Sequence, residues 1–373
     1  MPAEDLKQTK AVKSCENQSV AGFRTGGAMT RYSRTLRTLF AGFIGAVVIG
    51  VFAVATETDL QSVNDTIWVA NRGAHTIRGF DAATGAEVRT VAMAPNSQPG
   101  DLAYAKGKLY VAEEFGTPPA IAIVDVETGE ILSRIVMPTG SRPHHVHASV
   151  GGNLIAVGLF GTDRVAVVDT HDDTILGPWD SNPLTTSGRV HAGVFSKDGQ
   201  TLYLANEGAN EVIALDPRTG YVLWRMTVPG AHELAVTHDG KRAFVSRRTA
   251  NKLAIINLED QTFADVLTLG LPDTLELSAN ENLLTVGLRT SPAQMAVVDT
   301  RSFAYELVNL SPLGGATTIA GHQWTSPNGR YTFAAFEGGT SPGVAVIDHR
   351  AENQVIQTLG YPGRPHGVDR ARP

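Results

Sequence analysis

From Ile67 onward, short apolar runs alternate with short polar breaks, and the alternation itself repeats. Each copy reads as an apolar strand, a small polar loop, a second apolar strand, a turn opened by Asp, and a third strand. The clearest copies are LYVAEEFGTPPAIAIVDVETGEILSRIVM (109–137), LIAVGLFGTDRVAVVDTHDDTIL (154–176) and LYLANEGANEVIALDPRTGYVLWRMTV (202–228). The residue closing the second apolar run recurs as Asp81, Asp125, Asp169, Asp216, Asn257, Asp299 and Asp348, at gaps of 44, 44, 47, 41, 42 and 49. A period of roughly 40–50 residues with three or four strands per unit is the signature of a β-propeller. Seven copies predict an all-β chain of seven four-stranded blades.

The first copy opens directly on what should be a second strand, IWVAN (67–71), and the chain ends on RPHGVDRA (364–371), which matches the start of an inner strand. The C-terminal segment is therefore expected to supply the inner strand of the first blade. That pairing closes the ring and removes free sheet edges.

Ahead of the repeats, Arg31, Arg34 and Arg37 precede the uncharged run LFAGFIGAVVIGVFAVA (39–55), which ends in Ala53-Val54-Ala55. A basic region, an apolar core and a small-x-small site in that order predict a signal peptide over 29–55, cut after Ala55, and a secreted or periplasmic protein. The alternative is a membrane anchor at 39–55, which lies at the short limit for crossing a bilayer. Residues 1–28 read as an over-extended, disordered gene start. The propeller domain is then 56–373, with no membrane association after cleavage. The lone Cys15 lies upstream of it, so the domain has no thiolate for a disulfide, metal or iron–sulfur site.

Charge narrows the function classes. Residues 56–373 carry 24 Lys and Arg against 34 Asp and Glu. An acidic domain without a basic stripe argues against nucleic acid as a partner. No nucleophile elbow or phosphate-binding glycine loop is present.

The PHGV segment, the turns SKDG (196–199) and SPNG (326–329), the LYLAN-type strand and the VDVETG-type turn resemble the YVTN-repeat propellers of secreted and surface proteins. The resemblance covers nearly all of 64–373. It implies the fold and leaves function open among binding platforms, cofactor-holding subunits and enzymes.

Histidines cluster at one place in the repeat. His144, His191 and His232 stand five residues before the first residue of a hairpin turn; Asp273 replaces His in the next copy, and His366 matches in the last. His145 and His322 stand one residue further on, and His147 shares a place with Glu276. This window is expected to be the loop entering the innermost strand, so that the rings converge on the channel mouth. Glu113, Glu114, Glu207 and Glu337, with Arg72, Arg247, Arg248 and Arg289, are expected at the rim. Convergent imidazoles without thiolates suit Zn or Cu. The expected metal ligands are drawn from His144, His145, His191, His232, His322 and His366. Glu233, Asp273 and Glu276 are expected as carboxylate ligands, orienting partners or rim charge, and Asp101 as an orienting partner or rim charge. Affinity should then fall as pH drops through roughly 6.5, the imidazole pKa.

PHHVHAS (143–149) is also similar to the His-His-x-His strand of nitrous oxide reductase, a seven-bladed propeller with a histidine-held copper cluster. The present chain lacks that enzyme's cysteine-containing copper domain, so its chemistry is not carried over. Three readings stand: a binding or accessory protein taking a metal ion or small ligand at the mouth, an enzyme (lyase or oxidoreductase) using the same funnel, or a scaffold whose histidines are structural. A protein partner would dock on the same face.

Overall fold

The computed structural model describes residues 65–177, 179–180, 189–311 and 318–371. The expectations for 1–28 and 29–55 lie outside the described residues. Among the described residues, no helix is long and apolar enough to cross a membrane.

Seven antiparallel sheets form the seven blades, six with four strands and one with five. The fold class read from the repeats is the one observed. The inner strands, in blade order, are Pro365–Ala371, Pro99–Ala105, Pro143–Ala148, Val190–Phe195, Ala231–Val236, Pro272–Leu277 and Thr318–Thr325. In the third blade two short pieces, Thr174–Ile175 and Trp179–Asp180, both pair with Arg164–Asp169 and take the place of one outer strand.

The first blade closes the ring as expected. Pro365–Ala371 pairs antiparallel with Thr66–Asn71, setting Val368 opposite Val69 and Ala371 opposite Thr66. Tyr361 adds a side-chain lock, its hydroxyl donating to the Val69 carbonyl at 3.1 Å.

Second and third strands such as Lys108–Glu113 and Ala120–Asp125 are buried on both faces, which is why they read as unbroken apolar runs. Their side chains pack between blades. One cluster joins Trp68 and Ala70 to Leu109 and Val111, and another joins Ile67 and Val69 to Tyr331 and Phe333 across the closure. Outer strands such as Glu87–Ala92 face solvent and mix charge with apolar residues.

The recurring Asp residues are turn caps. Asp81 accepts from the Thr84 amide, Asp125 from Thr128 and Asp299 from Ser302, each at 2.7 Å. Asn257 fills the same role toward Asp260 at 3.1 Å.

Candidate metal centre and axial chambers

Every inner strand carries the same irregularity. Where it pairs with the second strand of its blade, the register slips by one residue near its N-terminal end in all seven blades. In the fourth blade Val190 pairs with Asn206 and Ala192 with Ala205, leaving His191 as the extra residue. A bulge turns two successive side chains toward one side, which a regular strand cannot do. The axis is therefore lined by neighbours in sequence: His144 with His145, and His232 with Glu233.

The expected location of the histidines needs correction here. They lie in strands, not in loops entering them. The rigidity of the sheet is thus available to the site. Glycine at a bulge lets the next blade approach: a Cβ on Gly367 would sit 2.5 Å from the Asp101 Cα, and one on Gly321 would sit 2.8 Å from the His366 carbonyl oxygen.

All six histidines expected as ligands are buried and form one contiguous group. Ring centroids are 3.7 Å apart for His191–His232, 4.8 Å for His144–His191 and His145–His322, and 5.0 Å for His322–His366. His147 lies apart, beside Phe195.

The group divides in two. The outer layer is committed to carboxylate and arginine partners. His144 Nδ1 lies 3.2 Å from Glu114 and 3.1 Å from Arg72. His232 Nε2 lies 2.9 Å from Asp273, and its Nδ1 3.3 Å from Glu207. Burial works against a charge on His232, but Asp273 and Glu207 outweigh it and raise its pKa. His366 Nδ1 faces Glu337 at 3.6 Å, yet burial and Arg72 keep this imidazole neutral by lowering its pKa. Glu114, Glu207 and Glu337 are each held at about 2, because neighbouring His and Arg overcome the effect of burial.

The inner layer is not so committed. Asp101, His145 and His322 each offer an atom, all within 4.8 Å of one another. Glu233 sits among the same rings: 3.8 Å from His145 Nε2, 3.8 Å from His191 Nδ1 and 4.0 Å from His322 Nδ1. None of these separations is a hydrogen bond. His145 Nδ1, His191 Nδ1 and Glu233 Oε2 are buried without any hydrogen-bond partner. Burial pushes the Asp101 carboxyl up to about 8 and Glu233 well above its usual value. Burial, with the neighbouring imidazoles, drives His145, His191 and His322 well below theirs. Burial thus favours the uncharged forms of the imidazoles and carboxyls of the inner layer.

The tight group among the described residues is two of the expected imidazoles, His145 and His322, with Asp101. Asp101, expected as rim charge, lies inside this group. Asp273 is occupied by His232, Arg248 and Arg289. Glu276 is outside this group but lines the same axial chamber as Asp101, His145, Glu233 and His322. Glu113 and Arg247 also leave the mouth: Glu113 caps the Ala94 amide and binds Arg134, and Arg247 binds Asp265.

Carboxylates of the inner strands also stitch blades together. Asp369 accepts from the Tyr104 amide at 2.7 Å, Asp101 from Val146 at 2.9 Å and Glu233 from Leu275 at 2.9 Å. Each bond spans two neighbouring blades, so these acids have a structural role whatever else they do.

Two chambers flank the inner layer. The one at the N-terminal ends of the inner strands has a volume of about 780 Å³ and is walled by arginines, Phe115 and Phe160. The other, about 400 Å³, is lined by Glu276, Asp369, His147 and Gln323. His322 lines both. The sequence reading passed over Arg142, Arg189 and Arg364 at the larger mouth. Their signal was an Arg-x-His spacing, present as Arg142-Pro143-His144, Arg189-Val190-His191 and Arg364-Pro365-His366.

Comparison with known proteins agrees with this architecture. The family described as lactonase, 7-bladed beta-propeller, matches residues 134–302. Protein YncE of Salmonella typhi is 26% identical over 250 residues, covering 62% of this chain and 67% of its own. The chain is a seven-bladed β-propeller, similar to these proteins. Among solved structures, the periplasmic gluconolactonase PpgL of Pseudomonas aeruginosa aligns with a TM-score of 0.64 at 21% identity, over 83% of this chain and 99% of its own. Hydrazine synthase of Kuenenia stuttgartiensis aligns with a TM-score of 0.60 at 18% identity, over 72% of this chain and 88% of its own. At these identities the structural likeness speaks for the fold alone.

Proposed function

We propose that this propeller is an exported metal-binding protein that holds one transition-metal ion, Zn or Cu, on its axis between Asp101, His145, His322 and Glu233. The observation that carries this reading is the group Asp101, His145 and His322, whose potential ligand atoms all lie within 4.8 Å of one another, with Glu233 Oε2 buried and unpartnered beside it. A buried polar atom with no partner costs about 1–3 kcal/mol, and several in one place are unusual unless something joins them. Ligand atoms on a tetrahedral Zn lie about 3.3–3.5 Å apart, given Zn–N distances of about 2.0–2.1 Å. The gaps of 3.8–4.0 Å from Glu233 to His145 and His322, and those within 4.8 Å among Asp101, His145 and His322, would close toward that on binding. Imidazole and carboxylate without thiolate suit Zn or Cu(II). The basic, apolar and Ala-Val-Ala pattern ending at Ala55 supports export, as does the periplasmic location in the name of PpgL.

The test is calorimetric titration of Zn and Cu(II) into metal-stripped protein and into a His145→Ala/His322→Ala variant. The wild type should bind one equivalent and melt at a higher temperature with metal. The variant should bind at least 100-fold more weakly. Equal binding by both, or none by a folded wild type, would leave the histidines structural.

A hydrolytic enzyme is the second reading, favoured by the lactonase family match and by the chamber of about 400 Å³ that all four proposed ligands line. The ion would act there as a Lewis acid. Turnover of gluconolactone that disappears in the same variant would establish it.

A further inference from the structure

The larger chamber has a chemistry of its own. Six guanidiniums line it: Arg72, Arg142, Arg189, Arg248, Arg289 and Arg364. Four carboxylates pair with them. Glu114 holds Arg72 and Arg142, Asp273 holds Arg248 and Arg289, Glu207 also holds Arg248, and Glu337 holds Arg364. Arg189 has no carboxylate partner among the described residues; it sits over the Phe160 ring, 5.8 Å from its centroid. The mouth therefore holds two more guanidiniums than carboxylates, in a chain whose formal charge is −6.

The layering matters more than the count. The carboxylates stand behind and the guanidiniums in front. The side chains of Glu114 and Glu337 are 1% and 2% exposed, whereas those of Arg142, Arg289 and Arg364 are 39%, 33% and 54% exposed. A molecule in the chamber meets the forks of arginines whose backs are already fixed. Such forks bind a carboxylate through paired N–H groups with little further loss of freedom. Arg142 and Arg189 both lie over Phe160, at 5.2 and 5.8 Å from its centroid, so two forks serve one spot. Phe160 and Phe115, with Leu271 and Ile319, form an apolar wall beside them. Phe115 and Leu271 are each 43% exposed. An apolar wall next to paired forks fits an anion that carries a carbon body better than a bare inorganic oxyanion. The volume of about 780 Å³ falls within the usual range for small-molecule sites.

We infer that the arginine-walled chamber is a binding site for a small organic carboxylate, held by Arg142 and Arg189 with its carbon body against Phe115 and Phe160. The site uses residues separate from the proposed metal ligands, so it stands or falls on its own.

Metal-stripped protein, titrated at low ionic strength with succinate, succinamide and inorganic phosphate, tests it. Succinate should bind the wild type and succinamide should not. Succinate affinity should fall as NaCl is added, and at least tenfold in an Arg142→Gln/Arg189→Gln variant whose melting temperature confirms folding. An Arg364→Gln variant gives a second, independent reduction. A His145→Ala variant, which leaves the residues lining this chamber in place, should keep succinate binding, which separates this site from the metal centre. Absence of succinate binding by the wild type, tighter binding of phosphate than of succinate, or equal binding by the folded arginine variants would overturn the assignment.

Discussion

Glu233 Oε2 lies 3.8 Å from His191 Nδ1, and neither atom makes a hydrogen bond although both residues are almost wholly buried. The other oxygen of the same carboxyl is fully used, accepting the Leu275 amide at 2.9 Å. One side chain thus separates the two functions that compete for every acid on this axis. Oε1 ties the fifth blade to the sixth, and Oε2 faces the imidazoles with nothing to bind.

Glu233→Gln should divide those functions. Glutamine keeps a carbonyl oxygen for the Leu275 amide but cannot supply a carboxylate ligand. Stability of the metal-free protein should change by less than about 1 kcal/mol, whereas Zn affinity should fall about 10–100-fold. Competition against a chromophoric chelator measures the second quantity and chemical denaturation the first. Unchanged Zn affinity would reduce Glu233 to a tie between blades.

The pH dependence of metal binding should follow the carboxyls, contrary to the reading from sequence. His145 and His322 are kept neutral by burial, so they need not lose a proton on binding. Asp101 and Glu233 must each lose one, since burial has pushed Asp101 up to about 8 and Glu233 well above its usual value. Zn affinity should therefore rise steadily from pH 6 to pH 8, by more than about tenfold per pH unit, with protons released on binding. Calorimetry in buffers of different ionisation enthalpy counts those protons. In Asp101→Asn the slope should flatten and the affinity drop. A midpoint near 6.5 that survives in Asp101→Asn would assign the titration to an imidazole instead.

Glu276 stands in the smaller chamber and gives a test of stability without metal. Burial, and then Asp369, raise its folded pKa from 4.5 to about 8. A raised carboxyl pKa stabilises the fold fully below the unfolded value, and that contribution fades as pH rises toward the folded value. The metal-free wild type should therefore lose ground to Glu276→Gln between pH 5 and pH 8. The difference should reach about 1–2 kcal/mol, or roughly 2–4 °C in melting temperature, after allowance for partial exposure. Melting curves that stay parallel across this range would show that the chamber admits enough water to keep the carboxylate ionised.

The parts legible in the sequence are those that repeat. The Asp81-to-Asp348 spacing marked seven turn caps, and the orphan RPHGVDRA segment marked the closing strand, because each is a local pattern copied along the chain. The histidine window was visible for the same reason. Its geometry was not. A bulge is an offset between two strands, and nothing in PHHVHA shows that His144 and His145 will both turn toward the axis. The partition of the rings was hidden too. His232 is taken by Asp273 and Glu207, which come from other parts of the chain, while His145 faces only Asp101 and Glu233 at long range. Burial, which decides whether Asp101 is an acid or a carboxylate at neutral pH, belongs to the assembled ring and to no segment of it.

Ring closure gives the sharpest test of the fold. Pro365–Ala371 pairs along Thr66–Asn71 and brings Val368 into the cluster with Val69, Phe333 and Tyr331. The same strand carries His366, and its Asp369 accepts the Tyr104 amide of the next blade. Ending the chain after Arg364 would therefore open a sheet edge on Thr66–Asn71, uncover Trp68 and Ile67, and leave the second blade without its tie. Loss of nine terminal residues usually costs little, but these complete the ring. The truncated protein should fail to melt cooperatively and should aggregate. Adding a synthetic peptide spanning 364–373 should restore part of the cooperative transition, since the missing strand is the only part absent. A truncated protein that melts at the wild-type temperature without the peptide would show that the ring holds by blade packing alone.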